Sequence, residues 1–397
     1  MFVHKSPSVS SSSRRLEAGY CPSALLVVLA AAALLAGCSA IARTGSSGVV
    51  VAHRAQVRSS TAVVAADLLE VSRGDGVDIL DSVEVPDPTD NTKKELWYRV
   101  RARDIDKTEG WIEARNIMPD DVLEKSRKVA AEDKDVQAQA TGQLHASSNL
   151  RLSPDRTKDD NIMMRLDSGA SFEIVGWKRV PKVKEDAPDE SDIAPKPGSA
   201  TTSNRRSRSD RSEEEDQEAK ETTELWYKVR LAPAISPAPA GWIFGKQVEL
   251  TVPSDIIYYR TGREFVAWRR LDEESSDESS ATQTKDVAKT SRPGSWVILE
   301  KSNPKDEPRK LDEPDFDRIY VLGYEKHDQD HYTAYRSPDV EGYLPLKVEG
   351  KGANKTFTVR IKEESGQVKD MTFSLYRDDR GVMRVTPPEQ IKSAKRK

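Results

Sequence analysis

Two stretches of this chain match each other closely: Leu96-Trp-Tyr-Arg-Val-Arg101 with Gly110-Trp-Ile112, and Leu225-Trp-Tyr-Lys-Val-Arg230 with Gly241-Trp-Ile243. Residue types alternate within each stretch, so Trp97 shares one strand face with Arg99 while Tyr98 lies on the other. This period of two predicts short, half-buried strands. The glycine before each second tryptophan is typical of a turn or of strands that cross closely.

The match extends upstream of these stretches. Gln56-Val-Arg58 corresponds to Asn149-Leu-Arg151, and the segment 73–80 corresponds to 167–175. Each copy therefore supplies several short strands separated by turn residues, which predicts a small barrel. An internal repeat of this kind predicts an all-β fold with two such barrels in tandem.

Both copies resemble bacterial SH3-like (SH3b) domains, whose signature has an Asn-Leu-Arg start, a Trp-Tyr-(Lys/Arg)-Val strand and a Gly-Trp-Ile strand. The resemblance covers residues 52–118 and 143–251, and the first copy has Gln56 where the signature has asparagine. It implies two SH3-like barrels, each with a shallow groove near the tryptophans. Neither copy contains the alanine-leucine-tyrosine-aspartate-tyrosine run with which eukaryotic SH3 domains clasp polyproline.

Charged and polar segments separate these units. Residues 181–223, inserted before the second Trp-Tyr strand, are rich in Pro, Ser, Asp and Glu. We expect this insert to be disordered, because it holds too little apolar surface to offset the entropy lost on ordering. Residues 119–142, where lysines alternate with acids, predict either a charged linker or a short exposed helix.

Residues 254–388 contain a series of segments with a period of two. In Phe357-Thr-Val-Arg-Ile-Lys362, for example, alternate residues are apolar, as in an antiparallel strand with one solvated face. The pattern predicts an antiparallel sheet or a barrel-like C-terminal domain, with its first strand at 256–260. A short basic tail, residues 389–397, is expected to fray.

The first residues have the pattern of an export signal. A basic segment precedes the uncharged run Ala24–Ala36, which is shorter than the roughly 20 apolar residues that span a bilayer. The run ends in Leu35-Ala-Gly-Cys38, which resembles the lipobox of bacterial lipoproteins. That resemblance implies a signal peptide (1–37), lipidation of Cys38, a tether (38–51) and a place on the outer membrane facing the periplasm. An ordinary secretory signal with an incidental cysteine is the alternative.

Composition argues against several classes of function. The chain has 62 basic and 66 acidic side chains, so it lacks the strong positive charge of a nucleic-acid-binding protein. Its two cysteines, Cys21 and Cys38, leave no thiol nucleophile or zinc ribbon in the body of the protein. His327-Asp-Gln-Asp-His331 lies between two predicted strands with no third ligand that can be named. We therefore expect no metal, no cofactor and no enzymatic activity.

The candidate binding residues are aromatic and basic: Trp97, Arg99, Trp111, Trp226, Lys228 and Trp242. Trp97 and Trp226 are expected on the wetter strand face, where tryptophan beside a cation can stack on a sugar or clamp a peptide carboxylate. Trp111 and Trp242 begin the next strands, near the groove that the resemblance implies. The alternative is that each tryptophan only covers a small core. We expect a non-catalytic, lipid-anchored envelope protein that binds peptidoglycan or a partner's peptide segment. The alternative is an assembly component of an outer-membrane complex that binds through its C-terminal β domain.

Overall fold

The computed structural model describes residues 46–86, 94–182, 223–260, 262–272, 293–302, 309–325, 327–352 and 354–392. Cys38 and the expected signal peptide lie outside these residues, as does 183–222, which is nearly all of the insert expected to be disordered. The described residues form four antiparallel sheets with little helix, so the predicted all-β fold class is confirmed.

The first sheet forms repeat 1, residues 46–119. It comprises β1 (Ser46–Val50), β2 (Arg54–Arg58), β3 (Asp67–Ser72), β4 (Gly76–Pro86), β5 (Lys94–Ala102), β6 (Glu109–Glu113) and β7 (Ile117–Pro119). The strands are arranged in the order β3-β2-β6-β5-β4-β1-β7. Val57, Val77 and Val100 are each 0% exposed and lie in a core made only of residues from this repeat.

The second sheet forms repeat 2, residues 140–250, and copies the first strand for strand. It comprises β8 (Ala140–Leu144), β9 (Ser148–Arg151), β10 (Ile162–Leu166), β11 (Ser171–Pro181), β12 (Thr223–Arg230), β13 (Ala240–Phe244) and β14 (Val248–Leu250). Its order, β10-β9-β13-β12-β11-β8-β14, is the same as in repeat 1. The pairing register also shifts at the same place, after Ile79 in β4 and after Ile174 in β11.

Each repeat needs its glycine where two strands cross. A Cβ added to Gly110 would lie 2.6 Å from the carbonyl oxygen of Arg58, and one added to Gly241 would lie 2.5 Å from Cε of Met163. Contacts this short exclude any side chain without movement of a neighbour. The close crossing predicted before each second tryptophan is therefore confirmed.

The expected tether, residues 38–51, is too long, because it overlaps the first strand. Its residues 46–50 are strand β1, which pairs with β4 and β7, and Val50 is fully buried. The short run of valines supplies a strand that closes the sheet of repeat 1. Repeat 2 likewise begins at Ala140, because β8 takes the corresponding place there.

Between the repeats, the helix alternative is confirmed over α1 (Asp120–Glu132). The negative charges of two aspartates in its first turn stabilise the helix, because they lie at the positive end of the helix dipole. The helix is not simply exposed, because Leu123 and Ser126 are buried and Ser126 Oγ donates a 2.6 Å hydrogen bond to the Ala240 carbonyl.

The C-terminal part forms two four-stranded sheets, not one. The third sheet comprises β15 (Arg263–Arg270), β16 (Trp296–Ser302), β17 (Arg318–Glu325) and β18 (Asp330–Arg336) in that order. The fourth comprises β19 (Gly342–Lys351), β20 (Asn354–Lys362), β21 (Val368–Arg377) and β22 (Met383–Thr386). The strand predicted at 256–260 is wrong, since Ile257–Tyr259 is a 3-10 turn with Tyr258 exposed.

The end of the chain is also more ordered than expected. Residues 389–392 of the expected frayed tail form one helical turn, α2 (Glu389–Lys392). Ile391 is only 8% exposed and joins the core between the third and fourth sheets. Residues 393–397 lie outside the described residues.

The two middle strands of the third sheet, β16 and β17, are buried on both faces, and the sheet joins repeat 2 to the fourth sheet. In β16, Trp296 and Ile298 belong to the core of repeat 2, while Val297 and Leu299 pack against the fourth sheet. Period-two geometry sends these alternate side chains to opposite faces. Repeat 2 therefore shares its core with the third sheet, whose other face packs on the fourth, so the boundary expected near residue 251 does not separate independent domains.

Two glutamine side chains reinforce this joint. Gln139 is fully buried and exchanges two hydrogen bonds with the backbone of Leu346 in β19, at 2.6 and 3.1 Å. Gln137 does the same with Val348, at 2.9 Å in both directions. The two amides take the place of a neighbouring strand along β19. Within the described ranges, no helix has the length and apolar character needed to cross a membrane.

Candidate functional site

In each Trp-Tyr strand, the tyrosine and the valine face the core, as the alternation predicts. Tyr98 and Val100 lie in the core of repeat 1, and Val229 lies in that of repeat 2 with Tyr227 packed against it. Trp97 and Trp226 therefore lie on the opposite faces, which they share with Arg99 and Lys228.

The expectation that these opposite faces are the wetter ones is wrong for three of the four residues. Trp97 is 5% exposed, Trp226 0% and Lys228 8%. In repeat 2 the Phe244 ring lies 5.4 Å from Trp226, and the Arg156 guanidinium lies over Phe244. A loop distant in sequence thus helps to cover the tryptophan.

Repeat 1 retains an accessible aromatic and basic surface. Trp111 in β6 is paired with Arg99 of β5 on one side and with Arg58 of β2 on the other. Side chains of directly paired residues point to the same face, so the three form a row that we call the Arg-Trp-Arg stripe. Arg99 is exposed and Trp111 is half-buried.

One carboxylate holds the arginines of this surface in place. Glu109 accepts hydrogen bonds from Arg99 at 3.1 Å and from Arg101 at 2.6 Å. The Arg101 hydrogen bond is the main cause of a lowered pKa for Glu109. Because these groups are exposed, a ligand carboxylate can compete with Glu109 for either guanidinium.

Repeat 2 has the same row, made of Arg151, Trp242 and Lys228, but the chain itself occupies it. The Lys228 ammonium lies 5.9 Å from the Trp242 ring centre and donates a 2.6 Å hydrogen bond to Glu132 at the end of α1. Asp133 pairs with the same ammonium. Burial alone would lower the pKa of Lys228, but the bonds to Asp133 and Glu132 outweigh it and raise the pKa.

Sequence reasoning missed the role of the first arginine in each repeat. Arg151 is 1% exposed and donates to the Lys158 carbonyl and to Asn161 Oδ1, both at 2.7 Å. Arg58 donates to the carbonyl of Val63 at 2.7 Å. Each arginine therefore fixes the loop that follows its strand. The matching Val-Arg and Leu-Arg positions of the repeat were the available signal.

A small cavity of about 280 Å³ lies on the Trp226 side of repeat 2. Arg156 and Glu224 line it and form a 2.7 Å ion pair that is largely buried. Glu224 Oε2 and Trp226 Nε1 are buried without a hydrogen-bond partner among the described residues. Sequence patterns gave no sign of this pair, since Arg156 lies in an irregular loop.

The histidine segment does not form a metal site with its neighbours. His331 packs against Tyr259 and Tyr324, and its Nε2 lies 2.8 Å from the Gly294 carbonyl oxygen. His327 is exposed. Across the described part of the chain, no group of three or more His, Cys, Asp or Glu side chains is placed to hold a metal ion.

Comparisons with known proteins add little to this geometry. No protein family matches the chain, and no curated protein matches it. Among solved structures, NlpC1 from Trichomonas vaginalis aligns over 88% of this chain and 96% of its own, with 10% sequence identity and a TM-score of 0.14. That score is too low to indicate a common fold.

Proposed function

We propose that this protein is a non-catalytic binding protein of the cell envelope, held to the outer membrane through a lipid on Cys38 and facing the periplasm. Its ligand is peptidoglycan or a carboxylate-bearing peptide segment of an envelope partner. The binding surface is the Arg-Trp-Arg stripe of repeat 1. The lipobox-like sequence at Cys38 motivates the anchor.

The observation that carries the proposal is the contrast between the two repeats. The same row of residues is occupied in repeat 2 by the carboxylates of Glu132 and Asp133, which bind Lys228 beside Trp242. In repeat 1 Arg99 remains exposed beside Trp111. Repeat 2 thus offers an internal example of the chemistry that such a row binds, namely carboxylate groups next to an indole ring.

Peptidoglycan suits this chemistry because its sugars present flat faces and its stem peptides end in carboxylates. An indole ring stacks on the former, and guanidinium groups bind the latter with charge-assisted hydrogen bonds. The sugar and the carboxylate of the ligand would both have to lie within the width of the three paired residues of the stripe. The stripe is therefore expected to bind a disaccharide peptide better than either part alone.

The test is a pull-down with purified sacculi, using the full chain made soluble by Cys38→Ala. We expect Trp111→Ala and Arg99→Ala each to lower binding about tenfold, the effect of roughly 1.4 kcal/mol. The matched control is Trp242→Ala at the same position of repeat 2, which should bind as the parent does. Thermal unfolding of each variant checks that the fold is intact.

Equal binding by Trp111→Ala and the parent would contradict the stripe as the binding surface. Sacculi whose carboxylates have been amidated should bind more weakly than untreated ones, because the arginines lose their partners. If amidation has no effect, the carboxylate part of the proposal fails.

A second candidate is an assembly role in an outer-membrane complex through the C-terminal sheets. The observation in its favour is the outer face of β21, where Val368 and Tyr376 are 46% and 48% exposed. In that case Tyr376→Ala would weaken retention in the complex, and Trp111→Ala would not. Scattered exposed apolar residues are common, so we favour the first proposal.

A further inference from the structure

In repeat 2, the end of the barrel next to Tyr227 is where the C-terminal sheets attach. Trp177, the cross-strand partner of Tyr227, meets its ring edge-on with centres 6.3 Å apart. The Trp177 Nε1 donates a 2.7 Å hydrogen bond to Asp315. Strand β15 lies against the same end, since the backbone N–H of Trp268 donates a 2.9 Å hydrogen bond to the backbone carbonyl of Gln139. This end of repeat 2 is therefore a docking surface for a strand.

At the corresponding end of repeat 1, the described residues leave a cavity. Ser82 takes the place of Trp177 as the cross-strand partner of Tyr98. A cavity of about 470 Å³ lies there, within the range of roughly 300–1,000 Å³ usual for ligand sites. Its lining includes Ser47, Ile79, Tyr98, Pro119, Asp120 and Asp121. Tyr98 points away from Arg99, so this cavity is on a different face from the Arg-Trp-Arg stripe.

We infer that this cavity docks a strand of a partner protein that carries an aromatic side chain next to arginine or lysine. The occupant of the matching end of repeat 2 indicates this class, because β15 reads Trp268-Arg269-Arg270. Asp120 and Asp121 add two carboxylates to the wall of the cavity, and these would attract such cations. The inference goes beyond the proposed function and does not depend on it.

The two aspartates have a local role that the test must separate from binding. They lie in the first turn of α1, where negative charge favours the helix dipole. Ser47 Oγ also donates to Asp120, and Lys125 lies 3.5 Å from Asp121. Asparagine at both positions keeps the shape and hydrogen-bonding capacity while removing the charge.

The experiment titrates the full Cys38→Ala chain into a fluorescent peptide with the sequence of residues 263–271, Arg-Glu-Phe-Val-Ala-Trp-Arg-Arg-Leu. We expect saturable binding that Asp120→Asn with Asp121→Asn weakens roughly fivefold, as two partly exposed charge pairs would. Ser46→Trp, at the cavity-lining position that pairs with Ile79 and so shares its face, should fill the cavity and remove binding. The matched control is Asp159→Asn with Asp160→Asn, an exposed acidic pair in repeat 2 that should leave binding unchanged. A peptide with alanine for tryptophan should bind less.

Several results would overturn the inference. Absence of saturable binding would do so, as would equal weakening by the control pair, which would indicate general charge attraction. Binding only after removal of residues 1–45 would identify this chain's own N-terminal segment as the occupant. A concentration-dependent dimer that Ser46→Trp abolishes would identify a second copy of the chain instead.

Discussion

Replacing Gln139 with leucine should weaken the joint between repeat 2 and the C-terminal sheets and so test the shared core. The Gln139 side chain is fully buried and satisfies both the N–H and the C=O of Leu346, which is also fully buried. Leucine has a similar volume, so the cavity contribution is small. The main cost is two buried backbone groups left without these partners.

The expected loss follows from that count. Each buried group left unpaired costs about 1–3 kcal/mol, so we expect Gln139→Leu to lower the free energy of unfolding by about 4 kcal/mol. Gln137→Leu is the matched control, because Gln137 makes the same pair of bonds to Val348 in a half-buried setting. Water can replace those bonds, and the loss should be about 1 kcal/mol.

Guanidinium unfolding followed by tryptophan fluorescence and by circular dichroism measures both variants. If repeat 2 and the C-terminal sheets unfold together, the fluorescence and circular dichroism curves of the parent chain should coincide in one transition. Equal losses for the two glutamine variants, or a loss below about 1 kcal/mol for Gln139→Leu, would show that the buried Gln139–Leu346 bonds do not stabilise this joint.

Three further predictions follow from the same contacts. Gly241→Ala should cost about 1–3 kcal/mol, because its Cβ meets Met163, Leu150 and the Arg151 carbonyl, whereas Gly176→Ala, which meets nothing within 4 Å, should change stability by less than about 0.5 kcal/mol in thermal unfolding. Burial raises the pKa of Tyr227 to about 12, so the neutral phenol contributes its full stabilisation below pH 10 and loses it as the pH rises towards 12. The free energy of unfolding of the parent should therefore fall across this range, and Tyr227→Phe should make that fall about 2–3 kcal/mol smaller in denaturation series. Cys38→Ala should release the protein from the membrane fraction, and unchanged detergent-phase partitioning of a cleaved variant would contradict lipid anchoring.

The sequence was sufficient for features that rest on local periodicity. Alternation identified the apolar faces of β20 and β21, where Phe357, Val359 and Phe373 are each 0% exposed. The repeat of the Trp-Tyr and Gly-Trp-Ile strands predicted two barrels, and both sheets have the same strand order. These features depend on neighbours only a few residues apart in the chain.

Exposure could not be read in the same way, because it depends on segments distant in sequence. Alternation placed Trp226 and Lys228 on the correct face, but Arg156 and Glu132 help to bury that face from 70 and 96 residues away, respectively. Gln139 lies in a charged segment without periodic apolar residues, which predicts a linker or a short exposed helix. Its side chain nevertheless bonds to Leu346 of β19, 207 residues away. Only the packing shows which of the two matching rows remains accessible.

The most direct test of the proposed binding surface is the nitrogen-15 NMR spectrum of the indole N–H groups during titration with a peptidoglycan disaccharide peptide. The chain has seven tryptophans, so each indole gives one signal that single substitutions can assign. If the Arg-Trp-Arg stripe binds the ligand, the Trp111 signal shifts during the titration while that of Trp226, which is 0% exposed, does not move. A Trp111 signal that stays in place while other indoles shift would contradict it.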